Sequence, residues 1–208
     1  MRPAESETIV YLDLDDVLVD WKGSAIGLYW ETKGLKMGTS DPMDTSETHI
    51  ERMFDDGLED MINRQGPEWW ENLPPMPYHR SMLELLYDLS RDFRIKDWRI
   101  VTNPHRFLHS YEGKRRWMKR WGMEPHHHVM TSAKHLLAKP NTILIDDLLS
   151  NCQNFSKAGG HAYLYPDRNV LYAKNSLHVR EIAVAIAKVG TGLVHGNGDG
   201  ITRRHICP

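Results

Sequence analysis

The chain has 208 residues, with 26 Lys and Arg against 28 Asp and Glu, a formal charge of −2 and an isoelectric point near 6.6. With 40% hydrophobic and 26% charged residues it has the composition of a globular chain, which excludes fibrous and disordered classes. The near-neutral balance argues against a nucleic-acid coat protein, and the length suits one full domain carrying a small inserted one. The longest apolar run, IAVAIA at 182–187, is short and flanked by charge, well under the roughly 20 residues of a membrane span. The opening MRPAESET lacks the apolar core of a signal peptide. Two cysteines, Cys152 and Cys207, are too few for a disulfide scaffold or a four-thiolate zinc site. These features predict a cytoplasmic protein without a membrane partner.

In chain order, TIVYLDL at 8–14 is a short apolar run that ends abruptly in acid, the pattern of a buried parallel strand with a site at its end. Residues 22–75 then break the rhythm with GLYWETKGLKMG, an acidic stretch (Asp41, Asp44, Glu47, Glu51, Asp55, Asp56, Glu59, Asp60) and PEWWENLPP. They predict a small helical insertion, with Pro74, Pro75 and Pro77 marking the return. An excursion of this length reads as a cap or lid, against the alternative of a surface loop without a role. A helix follows over 82–93, then a strand at 98–102 (WRIVT), and a helix at 113–121 with aromatics on one side and cations on the other. VMTS reads as strand after the loop His126-His127-His128, whose alternating directions exclude a shared metal. TILID at 142–146 is a further strand, LSNCQNFSKA at 149–158 a helix stopped by Gly159 and Gly160, and HAYLY at 161–165 the last strand. Alternating strand and helix imply an α/β fold with a parallel sheet flanked by helices. The core is predicted over 1–21 and 76–190, the cap over 22–75, and a flexible or extended tail over 191–208, rich in Gly.

The chemistry collects at strand ends, where open α/β sheets bind ligands. The first strand ends in Asp13-Leu14-Asp15-Asp16, the second in Thr102-Asn103 and the next in Asp146-Asp147. Asp13 and Asp15 reach one locus if the backbone bends, and Asp146 adds a third oxygen donor. Like charges so placed need a cation, and hard oxygen ligands without Cys or His favour Mg²⁺.

These segments resemble a known family. YLDLDDVLVDW, IVTN and ILIDD resemble three motifs of the haloacid dehalogenase (HAD) superfamily of phosphotransferases. The order of features resembles the 5'(3')-deoxyribonucleotidases and their phage and bacterial relatives. It runs from DxDxVLxD through a helical insertion, an aromatic-then-LPPMP return, the Thr motif, KRRWMKRW, TSAK and ILIDD to AGGHAYLY, covering roughly residues 8–166. Two departures are Asp16, where the group commonly has Gly, and Ser132-Ala133 before Lys134, where it tends to have Arg-Asp.

The resemblance implies a Rossmann-like HAD core with a small helical cap after the first strand. It also implies a Mg²⁺-dependent phosphomonoesterase acting on nucleoside monophosphates, 5'(3')-deoxyribonucleotides above all. Asp13 is then the nucleophile, forming an aspartyl-phosphate, and Asp15 the general acid and base. The metal falls to Asp13, the backbone carbonyl of Asp15 and Asp146, with Asp147 supporting it through water. Phosphate falls to Thr102, the Asn103 N–H and a lysine, Lys134 or its rival Lys139, with Lys114 a further candidate. Trp21 stands where the family holds an aromatic against the base, and Trp70 is either a second base contact or core of the insertion; stacking contributes about 1–3 kcal/mol per base. Met53 and Phe54 read as core of the insertion. Blander roles compete: Asp20 as a helix cap, Thr102 as a helix start before Asn103-Pro104, and the cations of Arg106, Lys114, Arg115, Arg116, Lys119 and Arg120 as the wet face of a helix whose Trp117 and Trp121 face the sheet. A homodimer is an assembly the family implies. Other functions to weigh are a phosphatase for nucleic-acid ends and a nucleotide binder without turnover.

Overall fold

A computed structural model describes residues 6–35, 47–105, 107–166 and 177–190. Five strands, β1 (Ile9–Leu12), β2 (Asp97–Thr102), β3 (His128–Met130), β4 (Thr142–Asp146) and β5 (His161–Leu164), form one parallel sheet in the order β3-β2-β1-β4-β5. Helices α1 (Trp21–Thr32), α2 (Glu47–Asp55), α3 (Leu58–Arg64) and α4 (Gly66–Glu71) follow β1. Helices α5 (His79–Arg91), α6 (Leu108–Arg120), α7 (Leu149–Lys157) and α8 (Leu177–Gly190) alternate with the remaining strands or close the described chain. The tail over 191–208, Cys207, Arg106, Asp41 and Asp44 lie outside the described residues.

The apolar runs form strands because they are buried on both faces of the sheet. In β4 every residue is buried: Ile143 and Ile145 enter the main core with Val10, Leu12 and Ile100, while Leu144 turns to a second cluster with Cys152 and Phe155 of α7. β1 sits between β2 and β4, and the strand order reverses beside it. The carboxyl ends of β1 and β4 therefore flank the crevice where such sheets bind ligands.

The chain leaves β1 through one tight turn, with the Leu18 and Val19 N–H groups donating to the Leu14 carbonyl at 2.9 and 3.0 Å. Exit and return of the helical segment then run side by side: Asp20 N–H donates to Pro74 O and Met76 N–H to Leu18 O, each at 2.8 Å. Asp20 does cap α1, its Oδ1 accepting from Gly23 N–H at 3.1 Å.

Several local expectations are corrected. The helices predicted from 82 and 113 begin earlier, at His79 and Leu108, because their first turns carry too few apolar residues to show the period. His126 and His127 form a 3-10 turn and His128 opens β3, with His127 stacked on Trp98 at 4.1 Å. Trp117 and Trp121 turn to the returning segment and α5 more than to the sheet: Trp117 Nε1–H donates to Leu73 O at 2.9 Å, and Trp121 packs on His79 at 4.4 Å.

α6 packs tightly on α4 because Gly113 lies at their crossing. A Cβ there would collide with the Pro67 carbonyl oxygen and Trp70 Cβ. Gly113→Ala is expected to push α4 off α6 and cost about 1–3 kcal/mol, read as a lower urea midpoint at unchanged slope.

Candidate active site

The strand ends bring four polar groups to one point. Asp13 follows β1 directly, its N–H donating to Ile145 O at 2.9 Å, so its carboxylate stands beside the end of β4. Asp146 closes β4 and is fully buried. One oxygen each from Asp13, Asp146 and Asp147 lie within 4.8 Å of one another. Lys134 Nζ sits 2.7 Å from Asp13 Oδ1 and 2.7 Å from Asp146 Oδ2, donating a directed hydrogen bond to the second. The Asp13 contact is a buried ion pair of the same length. Asn151 Nδ2 and the Leu148 N–H also hold Asp146 in place, at 3.1 and 2.9 Å from its Oδ1. Lys139, the rival lysine, is exposed and does not line the cavity. The two are told apart by the 3-10 turn Lys134–Leu137, which folds Lys134 inward.

A second lysine enters from α6. Lys114 is only 1% exposed, against the expectation that this helix keeps its cations in water. Its ammonium donates to Asp15 Oδ2, to Thr102 Oγ1 at 2.9 Å and to the Asn103 carbonyl at 2.9 Å, and lies 5.0 Å from the centre of the Trp70 ring. Lys114 belongs to the buried face of α6, with Ser110, Gly113, Trp117 and Met118, and from there meets the Asp15 carboxylate. The signal in the sequence was the placement of Lys114 one position after Gly113, where α6 comes closest to α4. The other described arginines of α6 are tied to acids instead: Arg116 Nε to Glu112 at 2.8 Å and Arg120 Nη2 to Glu71 at 2.8 Å.

Asp16 takes a left-handed backbone, φ 58°, at the position where the resembling family has Gly. It is held there by the Lys22 N–H, which donates to its Oδ1 at 2.9 Å. The Lys22 ammonium reaches across to Asp147 Oδ2 at 2.6 Å.

A cavity of about 410 Å³ opens over these groups, within the range of small-molecule sites. Its far wall is aromatic: Trp21 and Phe54 stack with centroids 6.1 Å apart and planes 16° apart. Phe54, expected as core, is thus partly open to the cavity, because α2 turns it toward Trp21. The Trp21 indole N–H is buried without a hydrogen-bond partner among the described residues. Trp70 also lines the cavity but is 2% exposed, so little of its ring is open to a ligand.

Burial pushes the Asp13 carboxyl well above the ordinary range; Lys134 opposes the shift, and Asp146, Asp15 and Asp147 add to it. Asp16 is likewise raised by burial and by Asp147, against Lys22. Asp147 is raised by burial, with Lys22 opposing. Burial would lower the Lys134 ammonium, but Asp13 and Asp146 outweigh it and hold its pKa above the usual lysine value. Five carboxylates (Asp13, Asp15, Asp16, Asp146, Asp147) thus face three ammonium groups (Lys22, Lys114, Lys134). The negative excess of two, the all-oxygen donor set and the Asp15 Oδ1 atom, buried without a hydrogen-bond partner among the described residues, fit a hard divalent cation. Asp13, Asp146 and Asp147 are the side chains that would hold it.

No protein-family model matches the chain, and neither does any curated protein. Solved structures do. A HAD family hydrolase from Deinococcus radiodurans R1 with bound phosphate and sodium superposes with TM-score 0.53 at 15% identity, covering 90% of this chain and 99% of that one. A HAD-superfamily hydrolase of subfamily IA from Geobacter sulfurreducens PCA gives TM-score 0.55 at 14% identity, covering 85% and 98%. A Bacillus subtilis structure described as a HAD-hydrolase bound to magnesium gives 0.52 at 15% identity, covering 87% and 99%. The fold is that of the HAD hydrolases. The expected α/β architecture, a parallel sheet flanked by helices, is borne out. Among the described residues no helix is long and apolar enough to cross a membrane.

Proposed function

We propose that the protein is a Mg²⁺-dependent phosphomonoester hydrolase of the HAD type acting on nucleoside monophosphates, 5'(3')-deoxyribonucleotides above all. The observation that carries the reading is the placement of Asp13 and Asp15 side by side with different partners. Asp13 lies against Lys134 in the acidic cluster, while Asp15 lies against Lys114 and Thr102. Two carboxylates with separate environments suit separate roles, nucleophile and acid–base. The structural neighbours with bound phosphate or magnesium support the same chemistry.

The repulsion between a phosphate dianion and an anionic nucleophile has to be offset by positive charge and placement. A divalent ion held by Asp13, Asp146 and Asp147 would supply part of that charge. Lys134 holds the Asp13 carboxylate toward the phosphorus and neutralises part of the incoming charge. Asp13 attacks phosphorus, the bond from phosphorus to the ester oxygen breaks, and an aspartyl-phosphate forms. The arriving phosphate monoester competes with Asp15 for the Lys114 ammonium, and the freed carboxylate takes the acidic proton of the monoester monoanion and passes it to the leaving ester oxygen. Thr102 and the Asn103 N–H steady the phosphoryl group. Asp15 then takes a proton from water, whose oxygen attacks the same phosphorus and releases inorganic phosphate and Asp13.

Helices α1 to α4, residues 22–75, act as the cap over the core of residues 1–21 and 76–190. They bring Phe54 over the site beside Trp21, whose indole N–H, without a hydrogen-bond partner among the described residues, favours a polar planar ligand. The cavity volume suits a mononucleotide. The nucleic-acid-end reading is disfavoured, since Arg115, Arg116 and Arg120 of α6 are already engaged by Glu112 and Glu71. A homodimer in the cytoplasm is the assembly and setting this reading carries forward from the family.

The test is phosphate release from a panel of deoxy- and ribonucleoside monophosphates and simple sugar phosphates, with and without Mg²⁺. Release from deoxyribonucleotides that needs Mg²⁺ and changes little between low and moderate salt is expected. Activity on sugar phosphates alone would refute the substrate class. A steep loss of affinity with salt on oligonucleotide ends would favour the other enzyme.

A further inference from the structure

The cavity contains a third lysine to which the chemistry above gives no part. Lys22 lies in the first turn of α1, one residue after Trp21, with 14% of its side chain exposed. Its ammonium is 2.6 Å from Asp147 Oδ2 and 3.9 Å from Asp16 Oδ2, and its own N–H donates to Asp16 Oδ1. Asp16 keeps a side chain in a left-handed backbone conformation that Gly adopts at less cost. That strain is offset by the two contacts with Lys22. Asp16 and Lys22 are therefore a matched pair: the carboxylate fixes the start of α1 and offers the ammonium a second seat beside the one on Asp147.

Asp147 is also one of the three side chains whose oxygens gather within 4.8 Å. A carboxylate already neutralised by an ammonium at salt-bridge distance attracts a dication less strongly, and the dication repels the ammonium in turn. We propose that Lys22 is an internal rival of the divalent ion. It occupies Asp147 when no ion is bound, weakens ion uptake, and shifts to Asp16 when the ion takes Asp147. The partner exchange links ion binding to the first turn of the cap, and the coupling is reciprocal: what holds Lys22 on Asp147 weakens the ion, and the ion releases Lys22. This inference rests on the ion site of the proposed function.

Calorimetric titration of the full chain with MgCl₂, in the absence of substrate, tests it without reference to turnover. Lys22→Met is expected to bind Mg²⁺ about tenfold more tightly than the wild type, and Lys22→Arg to bind it as the wild type does. Should the methionine variant fail to fold, Lys22→Gln, neutral but with a side-chain N–H that can still donate to Asp147, is expected to show the same gain. Unchanged or weaker binding in the neutral variants overturns the proposal; if those variants still hydrolyse nucleotides, the proposed function stands. A wild-type protein that takes up no Mg²⁺ at millimolar concentration removes the ion site and this inference with it.

Discussion

Asp13→Asn is expected to lower turnover by at least about 10⁴-fold while the fold survives, since an amide is no nucleophile toward phosphorus and the residues that act with Asp13 cannot replace it. The stability effect runs in the opposite direction. Burial raises the Asp13 pKa well above the ordinary carboxylate range, so the folded ion-free protein holds this proton more tightly than the unfolded chain does. A raised carboxyl pKa lowers stability as pH climbs from the unfolded value through the folded one. The neutral amide escapes that loss, and Lys134 retains Asp146 as its partner. Ion-free Asp13→Asn is therefore expected to unfold at a temperature equal to or above the wild type, with an advantage that grows across that pH window. Circular dichroism melts at several pH values read it. A variant that unfolds early would mean that the carboxylate holds the fold, and full activity would remove Asp13 as nucleophile.

Lys134→Met is expected to fail on both counts. Among the described residues its ammonium is the cation within salt-bridge reach of Asp13 and Asp146, both buried. Removing one partner of a buried ion pair leaves uncompensated charge and costs about 3–5 kcal/mol. The raised lysine pKa means that this contribution is fully present below the unfolded lysine value and is lost only as pH rises through the folded one, so the deficit is expected at neutral pH. Turnover is expected to drop by about 10²–10³-fold, the effect of removing one preorganised charge partner of the transition state. Urea unfolding with and without Mg²⁺ separates the two effects, because a cation at the same carboxylates restores part of the stability and none of the lysine. Lys139→Met, at an exposed position outside the cavity, is expected to change neither quantity. A loss in Lys139→Met with none in Lys134→Met would exchange their roles.

The strand ends were legible in the sequence because burial on both faces forces continuous apolar runs, and an acidic residue directly after such a run has few structural reasons to be there. Asp13 and Asp146 were found in this way and Thr102 as the polar end of the second run, and all three stand where the sheet brings its strand ends together. Lys134 and Lys139 could not be separated by pattern, because both precede β4 and only the 3-10 turn decides which side chain folds inward. Lys114 was passed over among the cations of α6 because a charged residue reads as solvated, although the helical period sets it on the stripe of Ser110, Gly113, Trp117 and Met118. What makes a charge tolerable there is the Asp15 carboxylate and the Thr102 hydroxyl, which only the fold brings to its ammonium. Phe54 was hidden for the opposite reason: an aromatic at helical spacing reads as core, and its stacking on Trp21 depends on how α2 is set against α1. The role of Lys22 depends on a contact across 125 positions of sequence, beyond the reach of any local pattern.

In the proposed mechanism Asp13 itself carries the phosphoryl group. The protein is mixed with a deoxyribonucleoside monophosphate and Mg²⁺, quenched in acid within one turnover, and the phosphoryl adduct is mapped by mass spectrometry. A transient acid-stable, base-labile adduct is expected on the peptide holding Asp13, and none in Asp13→Asn. Phosphate release at full rate with no adduct on that peptide, or with the adduct on another residue, would contradict it.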